Sequence, residues 1–427
     1  GGHNTSQLAV EGSLAGGDVC PVTAIYGANA SGKSTVLGAL AHVQRLIRQS
    51  ARWEAQQPVP GDPFLLSPEG VTQPFVAELV FRIGAAEYRY GFEATSERFT
   101  EEHLFVTART GQRRTERRLF ARWVDGDGHD VIDVSPSVKG PKQRIATATR
   151  PNSLFLSKAA QENQQDLSPI YGWLSSQLLF PSEPGAASHL MRDAIDASAK
   201  QPAIREALER LLVSADLSVD KLNVSVEPNP PAGHGILAGL PEFIEAMLPG
   251  SGERGILTDV EAEPDKTRVI RRRVSLDHHA ANGSLVSLPW ASESDGTKAL
   301  FTLGARVISA LNAGQTLLID EVDTSLHPLL LRPIIELFQV EETNPNGAQL
   351  VFTTHDATLL GNYGGTGYAL DRDQIWFTEK GRDGATELVP LSDYKPRKGL
   401  DTETAYLAGR FGAVPVPDER LGQGKPE

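Results

Sequence analysis

The sequence predicts an α/β fold: a parallel-sheet core built to hold phosphate, joined to an antiparallel β-meander and a mainly helical insertion. Three observations predict it. Gly27-Ala28-Asn29-Ala30-Ser31-Gly32-Lys33-Ser34-Thr35 fits G-x-x-x-x-G-K-[ST], the phosphate-binding P-loop. Thr316-Leu317-Leu318-Ile319-Asp320-Glu321 is an apolar run ending in two carboxylates. Between them the hydrophobic period switches from helical to two and back to helical.

The P-loop stands in the context that gives it meaning. Val22-Thr23-Ala24-Ile25-Tyr26 is short and apolar, as a buried parallel strand should be. After the loop, Val36, Leu40, Val43 and Ile47 recur at helical spacing. Gly27, Asn29, Ala30, Ser31 and Gly32 are expected to surround phosphate oxygens with backbone N–H groups, and the helix start adds positive potential. Lys33 is expected to reach the β- and γ-phosphates of ATP. Ser34 is expected to ligate Mg²⁺, and Thr35 to support the α-phosphate.

Pro58-Val59-Pro60-Gly61-Asp62-Pro63 breaks the chain after that helix. Phe75–Phe81, Glu87–Glu93, Arg98–Thr107 and Arg118–Val124 then alternate like a meander. Arg113, Arg114, Arg117 and Arg118 are expected on one of its turns, as a solvated hairpin tip. Ser153-Leu154-Phe155-Leu156 reads as another short strand, leading to Gln161. From Tyr171 to Val213 the pattern is mostly helical, and Leu222–Val226 and Val269–Leu276 return to strand. Gln7–Val10 is a further strand candidate. The expected organisation is 1–160 with P-loop and meander, 161–285 as the mainly helical insertion, and 286–427 completing the core.

The second half of the site gathers near the end of the chain. Asp320 is expected to hold Mg²⁺ through water, and Glu321 to orient or deprotonate an attacking water. Upstream, Ser292-Glu293-Ser294-Asp295-Gly296-Thr297 precedes Leu300, Leu303, Val307 and Leu311 at helical spacing, placing Ser294 or Asp295 at an N-cap. Such a start is a second place for an anion. Gln349–Thr353 reads as the strand beside the carboxylate strand, delivering Thr354-His355-Asp356, so His355 is placed to touch a γ-phosphate.

Composition removes several classes. One cysteine among 427 residues, Cys20, excludes a disulfide framework and a cysteine-built zinc site and suits a cytoplasmic protein. No run approaches the roughly 18 apolar residues of a membrane span, and no signal peptide is visible. A net charge of −13 means that DNA contact would need a local basic patch. Arg271–Arg273 and Lys139–Arg150 are the best candidates.

The order P-loop, S-D-G-T before a helix, L-L-I-D-E, D-x-S-L-H-P and T-T-H-D resembles the ABC-class ATPase heads of the RecF, SMC and OLD group. More narrowly, Y-G-A-N-A-S-G-K-S-T, E-S-D-G-T-K and Tyr406-Leu407-Ala408-Gly409-Arg410-Phe411-Gly412-Ala413-Val414-Pro415 look like the stand-alone prokaryotic "AAA family ATPase" proteins associated with anti-phage defence. The resemblance implies a P-loop NTPase of ABC type. Its lobe I would be 1–160 and its lobe II 161–285. It also implies that Ser294, Asp295, Gly296 and Thr297 form a signature loop contacting the γ-phosphate of a partner head. Asp323 would be in the D-loop, His355 the switch histidine and Gln161 a Q-loop ligand near Mg²⁺. Such heads usually begin with a strand hairpin, and here the lead-in is short. Long coiled-coil arms, a Cys-x-x-Cys hook and a Toprim-like acidic constellation are not seen in the sequence. The resemblance further implies a head-to-head homodimer around ATP, alone or within a higher oligomer, controlling a separate nuclease- or toxin-like effector. The alternative is a DNA repair or recombination clamp resembling RecF. A transporter motor and a ring-forming AAA+ motor fit the meander, S-D-G-T and D-loop elements less well.

Overall fold

The computed structural model describes residues 19–61, 63–66, 70, 73–110, 113–180, 194–215, 218–228, 256–263, 266–325, 328–362, 367–381, 383–395 and 401–411. The strand candidate Gln7–Val10 lies outside them. The chain forms two compact units: one of Gly1–Asn29, Phe180–Thr378 and Leu388–Glu427, the other of Ala30–Leu179 and Glu379–Glu387.

In the first unit, strand β1 (Val22–Tyr26) lies between two strands from far along the chain. One neighbour is Gln349–Thr354 and the other Ile375–Lys380, both parallel to it. Thr316–Ile319 pairs in parallel with Gln349–Thr354, in the neighbourhood expected of the carboxylate strand. Val22, Ala24, Ile25 and Tyr26 are all buried, which is why the run is almost continuously apolar. Phe377 stacks on Phe411 and Tyr406, and Tyr406 meets Tyr26 edge-on, anchoring the C-terminal aromatic run on the sheet. Of that run, residues 412–415 lie outside the described part.

The helix Asp295–Ala313 packs against the helix Pro202–Ser214. Gly304 allows the approach: a side chain there would meet Leu208 and Leu211. Beside this pair, Val219–Pro228, Ile256–Glu263, Lys266–His279 and Leu285–Pro289 form an antiparallel sheet, which includes the two strands read from the sequence.

In the second unit, helix α1 (Lys33–Gln49) packs with a meander of β2 (Phe75–Ile83), β3 (Ala86–Ala94), β4 (Phe99–Thr110), β5 (Arg113–Val124) and β6 (Asp130–Val134), paired in chain order. Val43, Leu46 and Ile47 of α1 join Tyr90, Phe92, Phe99, Leu104 and Phe120 in one core. Each such aromatic or leucine contributes roughly 1.5–3 kcal/mol through burial.

Two local expectations are corrected here. Arg113, Arg114, Arg117 and Arg118 lie within β5, opposite Thr110, Arg109, Val106 and Phe105: Arg113 and Arg114 flank the β4–β5 connection, and Arg117 and Arg118 sit further along the strand. The strand tolerates the charges because one face of the sheet is solvated and an acid answers across it. Arg118 pairs with Asp133 of β6.

The run Ser153–Leu156 is not a strand. A helix begins at Phe155 (Phe155–Gln161), because the fully buried Glu102 carboxylate accepts from the N–H groups of Phe155 at 2.6 Å and Leu156 at 3.0 Å. Tyr90 donates to the same carboxylate at 3.0 Å. Burial pushes the Glu102 carboxyl above its ordinary range, against the opposing pull of the Arg122 guanidinium.

Candidate nucleotide site

The expected site residues are distributed over both units. In the second unit the loop enters α1 through two left-handed residues, Ala30 at φ 62° and Gly32 at φ 104°. Gly32 occupies the helix N-cap yet has no side chain to cap it, and the first turn holds no acid. A bound anion would complement such a start, since the dipole and the first N–H groups favour negative charge. Alternation between left- and right-handed backbone curls successive N–H groups into a concavity suited to phosphate. Lys33 is the first residue of α1 and only 5% exposed, while Ser34 and Thr35 are exposed. A nearly buried ammonium at this spot fits a polyphosphate as counter-charge.

Ala30 pays a conformational penalty of roughly 1–2 kcal/mol for its left-handed φ. Ala30→Gly should therefore bind nucleotide as the wild type does. Ala30→Val, β-branched at a positive φ, should weaken binding about tenfold or more. Nucleotide titration of both variants, with circular dichroism to establish folding, checks this.

The first unit carries the carboxylates. Thr353, fully buried, bridges the carboxylate pair: its hydroxyl donates to Asp320 Oδ1 at 2.5 Å and accepts from the Glu321 N–H at 2.7 Å. Glu321 itself is exposed, with a left-handed φ of 47°. Such a backbone persists where surrounding bonds hold it, and such positions cluster at functional sites. Asp323 Oδ1 accepts from the His355 N–H at 3.2 Å, joining the predicted D-loop and switch segments directly. Of the D-x-S-L-H-P stretch, Leu326 and His327 lie outside the described residues.

Ser294 caps the helix Asp295–Ala313, as its position predicts, with Oγ accepting from the Thr297 N–H at 3.0 Å. Ser294, Asp295 and Gly296 are exposed, whereas Thr297 is buried. The loop is held from below: Glu293, buried, pairs with His278 at 2.9 Å, and Trp290 meets Phe301 edge-on.

The strand context expected before Gln161 is a helix instead. Gln161 is that helix's last residue, exposed, and accepts from Lys158 Nζ at 3.0 Å. Sequence patterns do not single out Thr353. Its only signal is polarity: with Thr354 it ends a buried strand whose middle is apolar.

The basic segments are largely engaged. Arg272 is buried in a two-pronged pair with Asp196, at 2.7 and 2.8 Å, which holds the Asp196 carboxyl below its ordinary range. Arg273 is exposed, and the Arg271 side chain lies outside the described residues. In 139–150, Lys142 donates to the Ser135 carbonyl and Arg150 to that of Ala51 at 3.2 Å. Among the described residues no helix is long and apolar enough to cross a membrane.

Residues 22–361 match the family described as "AAA domain, putative AbiEii toxin, Type IV TA system". No curated protein matches the chain. Among solved structures, the chain is similar to the SMC head domain from Thermotoga maritima, at 14% identity and TM-score 0.34, covering 86% of this chain and 89% of that one. It is also similar to the SmcHead bound to the C-winged helix domain of ScpA, at 12% identity and TM-score 0.32, with 86% and 89% covered. A third is an Smc head with an extended coiled coil, bound to the C-terminal domain of ScpA, from Pyrococcus furiosus. There identity is 13% and TM-score 0.32, with 88% and 92% covered.

Proposed function

This chain belongs to the family of AAA domains described as "putative AbiEii toxin, Type IV TA system", and from that premise we propose that it is a Mg²⁺-dependent ATPase. Its ABC-type head would dimerise around ATP and regulate an effector protein in bacterial anti-phage, abortive-infection defence. The observation that carries the ATPase reading is the nearly buried Lys33 at the start of α1, behind the left-handed Ala30 and Gly32.

The roles follow the chemistry of each group. Backbone N–H groups of Gly27–Gly32 and the Lys33 ammonium bind the phosphates. Ser34 Oγ, directly, and the Asp320 carboxylate, through water, would hold Mg²⁺, a hard cation that takes oxygen ligands. When bound, that ion supplies positive charge to the β- and γ-phosphate oxygens. Glu321 takes a proton from the attacking water at its carboxylate, and His355 contacts the γ-phosphate. Thr353 keeps Asp320 and Glu321 in register by holding one side chain and the other backbone.

The exposed Ser294–Gly296 cap supports a composite site. Turned by a two-fold axis, this cap on one copy would face the γ-phosphate bound by the other. The experiment mixes Lys33→Ala with Ser294→Arg, each inactive alone. Heterodimers should regain up to one working site, formed by the intact P-loop of one chain and the intact cap of the other. No recovery in demonstrated heterodimers would refute the composite site.

The family's toxin–antitoxin description supports the defence role over a DNA clamp. So does the engagement of the two segments a clamp would use: Asp196 neutralises Arg272, and Lys142 and Arg150 spend donors on backbone carbonyls. Salt-dependent DNA affinity of the purified protein would reverse that preference.

A further inference from the structure

Within the second unit, the phosphate-binding loop is met by a short segment from near the other end of the sequence, Glu379–Glu387. Two of its side chains take hold of the loop backbone. Thr386 Oγ1 donates to the Ser31 carbonyl at 3.0 Å, and Lys380 Nζ donates to the Ala30 carbonyl at 3.4 Å. The Thr386 side chain also fills the space that any side chain on Gly32 would need. The segment is itself a tight turn: Gly381 donates to Ala385 O at 2.8 Å, Gly384 donates to Gly381 O at 2.9 Å, and Asp383 Oδ1 accepts from the Ala385 N–H at 3.0 Å.

A trans peptide holds its C=O and N–H in opposite directions. Drawing the Ser31 carbonyl toward Thr386 turns the Gly32 N–H away from the hairpin. Drawing the Ala30 carbonyl toward Lys380 does the same to the Ser31 N–H. Both N–H groups belong to the stretch assigned to phosphate. We propose that Thr386, assisted by Lys380, is a positioning residue for nucleotide: it orients two P-loop peptide planes before the di- or triphosphate arrives. The inference rests on the ATPase reading above. Its effect falls on affinity, because a loop already oriented loses less freedom on binding.

The test titrates Mg-ADP and a non-hydrolysable ATP analogue into wild type, Thr386→Val, Thr386→Ser and Lys380→Gln, with melting curves in the absence of nucleotide. Thr386→Val keeps the shape and removes the hydroxyl. It should bind about fivefold more weakly, as expected for one lost hydrogen bond, and melt with the wild type when nucleotide is absent. Thr386→Ser should restore affinity. Lys380→Gln should weaken binding about twofold. Wild-type affinity in Thr386→Val overturns the proposal. Should Thr386→Val lower the melting temperature of the free protein, Lys380→Gln decides, since Lys380 is exposed; unchanged affinity there overturns the proposal as well. A wild type that binds no nucleotide sinks the ATPase reading and this role together, whereas equal binding by all four proteins sinks only the role of the hairpin.

Discussion

Lys33→Ala should fold and fail to bind ATP. The lysine is nearly buried at the start of α1, so its ammonium sits where bulk water screens it little. Hydrogen bonds from a charged donor contribute about 1.5–3 kcal/mol each. Losing the contacts to two phosphates should therefore weaken nucleotide binding roughly 10²- to 10⁴-fold, and the same charge is missing again in the transition state. Equilibrium titration and steady-state phosphate release measure the two losses separately. Arg45, the next basic residue along α1, lies three turns further on and bonds with His42 at 3.1 Å, so it offers no substitute. Wild-type-like hydrolysis in Lys33→Ala would remove the P-loop from the mechanism.

Glu321→Gln should separate binding from turnover. The amide matches the carboxylate in size and suits the same backbone. The left-handed φ and the bond from its N–H to Thr353 should therefore persist. What disappears is the proton acceptor and its charge. General-base catalysis is worth roughly 10²–10⁴-fold, so kcat should fall on that scale while affinity for Mg-ATP stays. Dimers holding unhydrolysed ATP should accumulate, visible by size exclusion with radiolabelled nucleotide. Normal turnover would transfer the water-activating role elsewhere, and His355, tied to Asp323 through its backbone N–H, would be next.

Legibility in the sequence tracks the distance over which each feature is encoded. The P-loop, the carboxylate strand and the Ser294 cap are local patterns of fewer than about ten residues, each with its own strand or helix alongside. All three appear where the sequence puts them. The features that escape a sequence reading depend on partners far along the chain. Ser153–Leu156 has the composition of a strand, and only the buried Glu102 carboxylate, reaching N–H groups 53 and 54 residues later, makes it a helix start. Arg118 in β5 looks like part of a turn until Asp133 is seen on the neighbouring strand. Thr353 and Thr386 are ordinary threonines until Asp320 and Ser31 stand beside them.

The placement of β1 between Gln349–Thr354 and Ile375–Lys380 also sets a timetable for biosynthesis. Translation at about 5–20 residues per second leaves β1 without either neighbour for tens of seconds. The meander has no such wait, since each of its strands pairs with the one just made. On the ribosome, then, the second unit has the means to organise early while the apolar Val22–Tyr26 strand remains an open edge. Closing loops of this length is a late and slow event. A nascent chain would acquire its central sheet only after most of it has been made, and through that interval the apolar β1 has no partner strand to cover it.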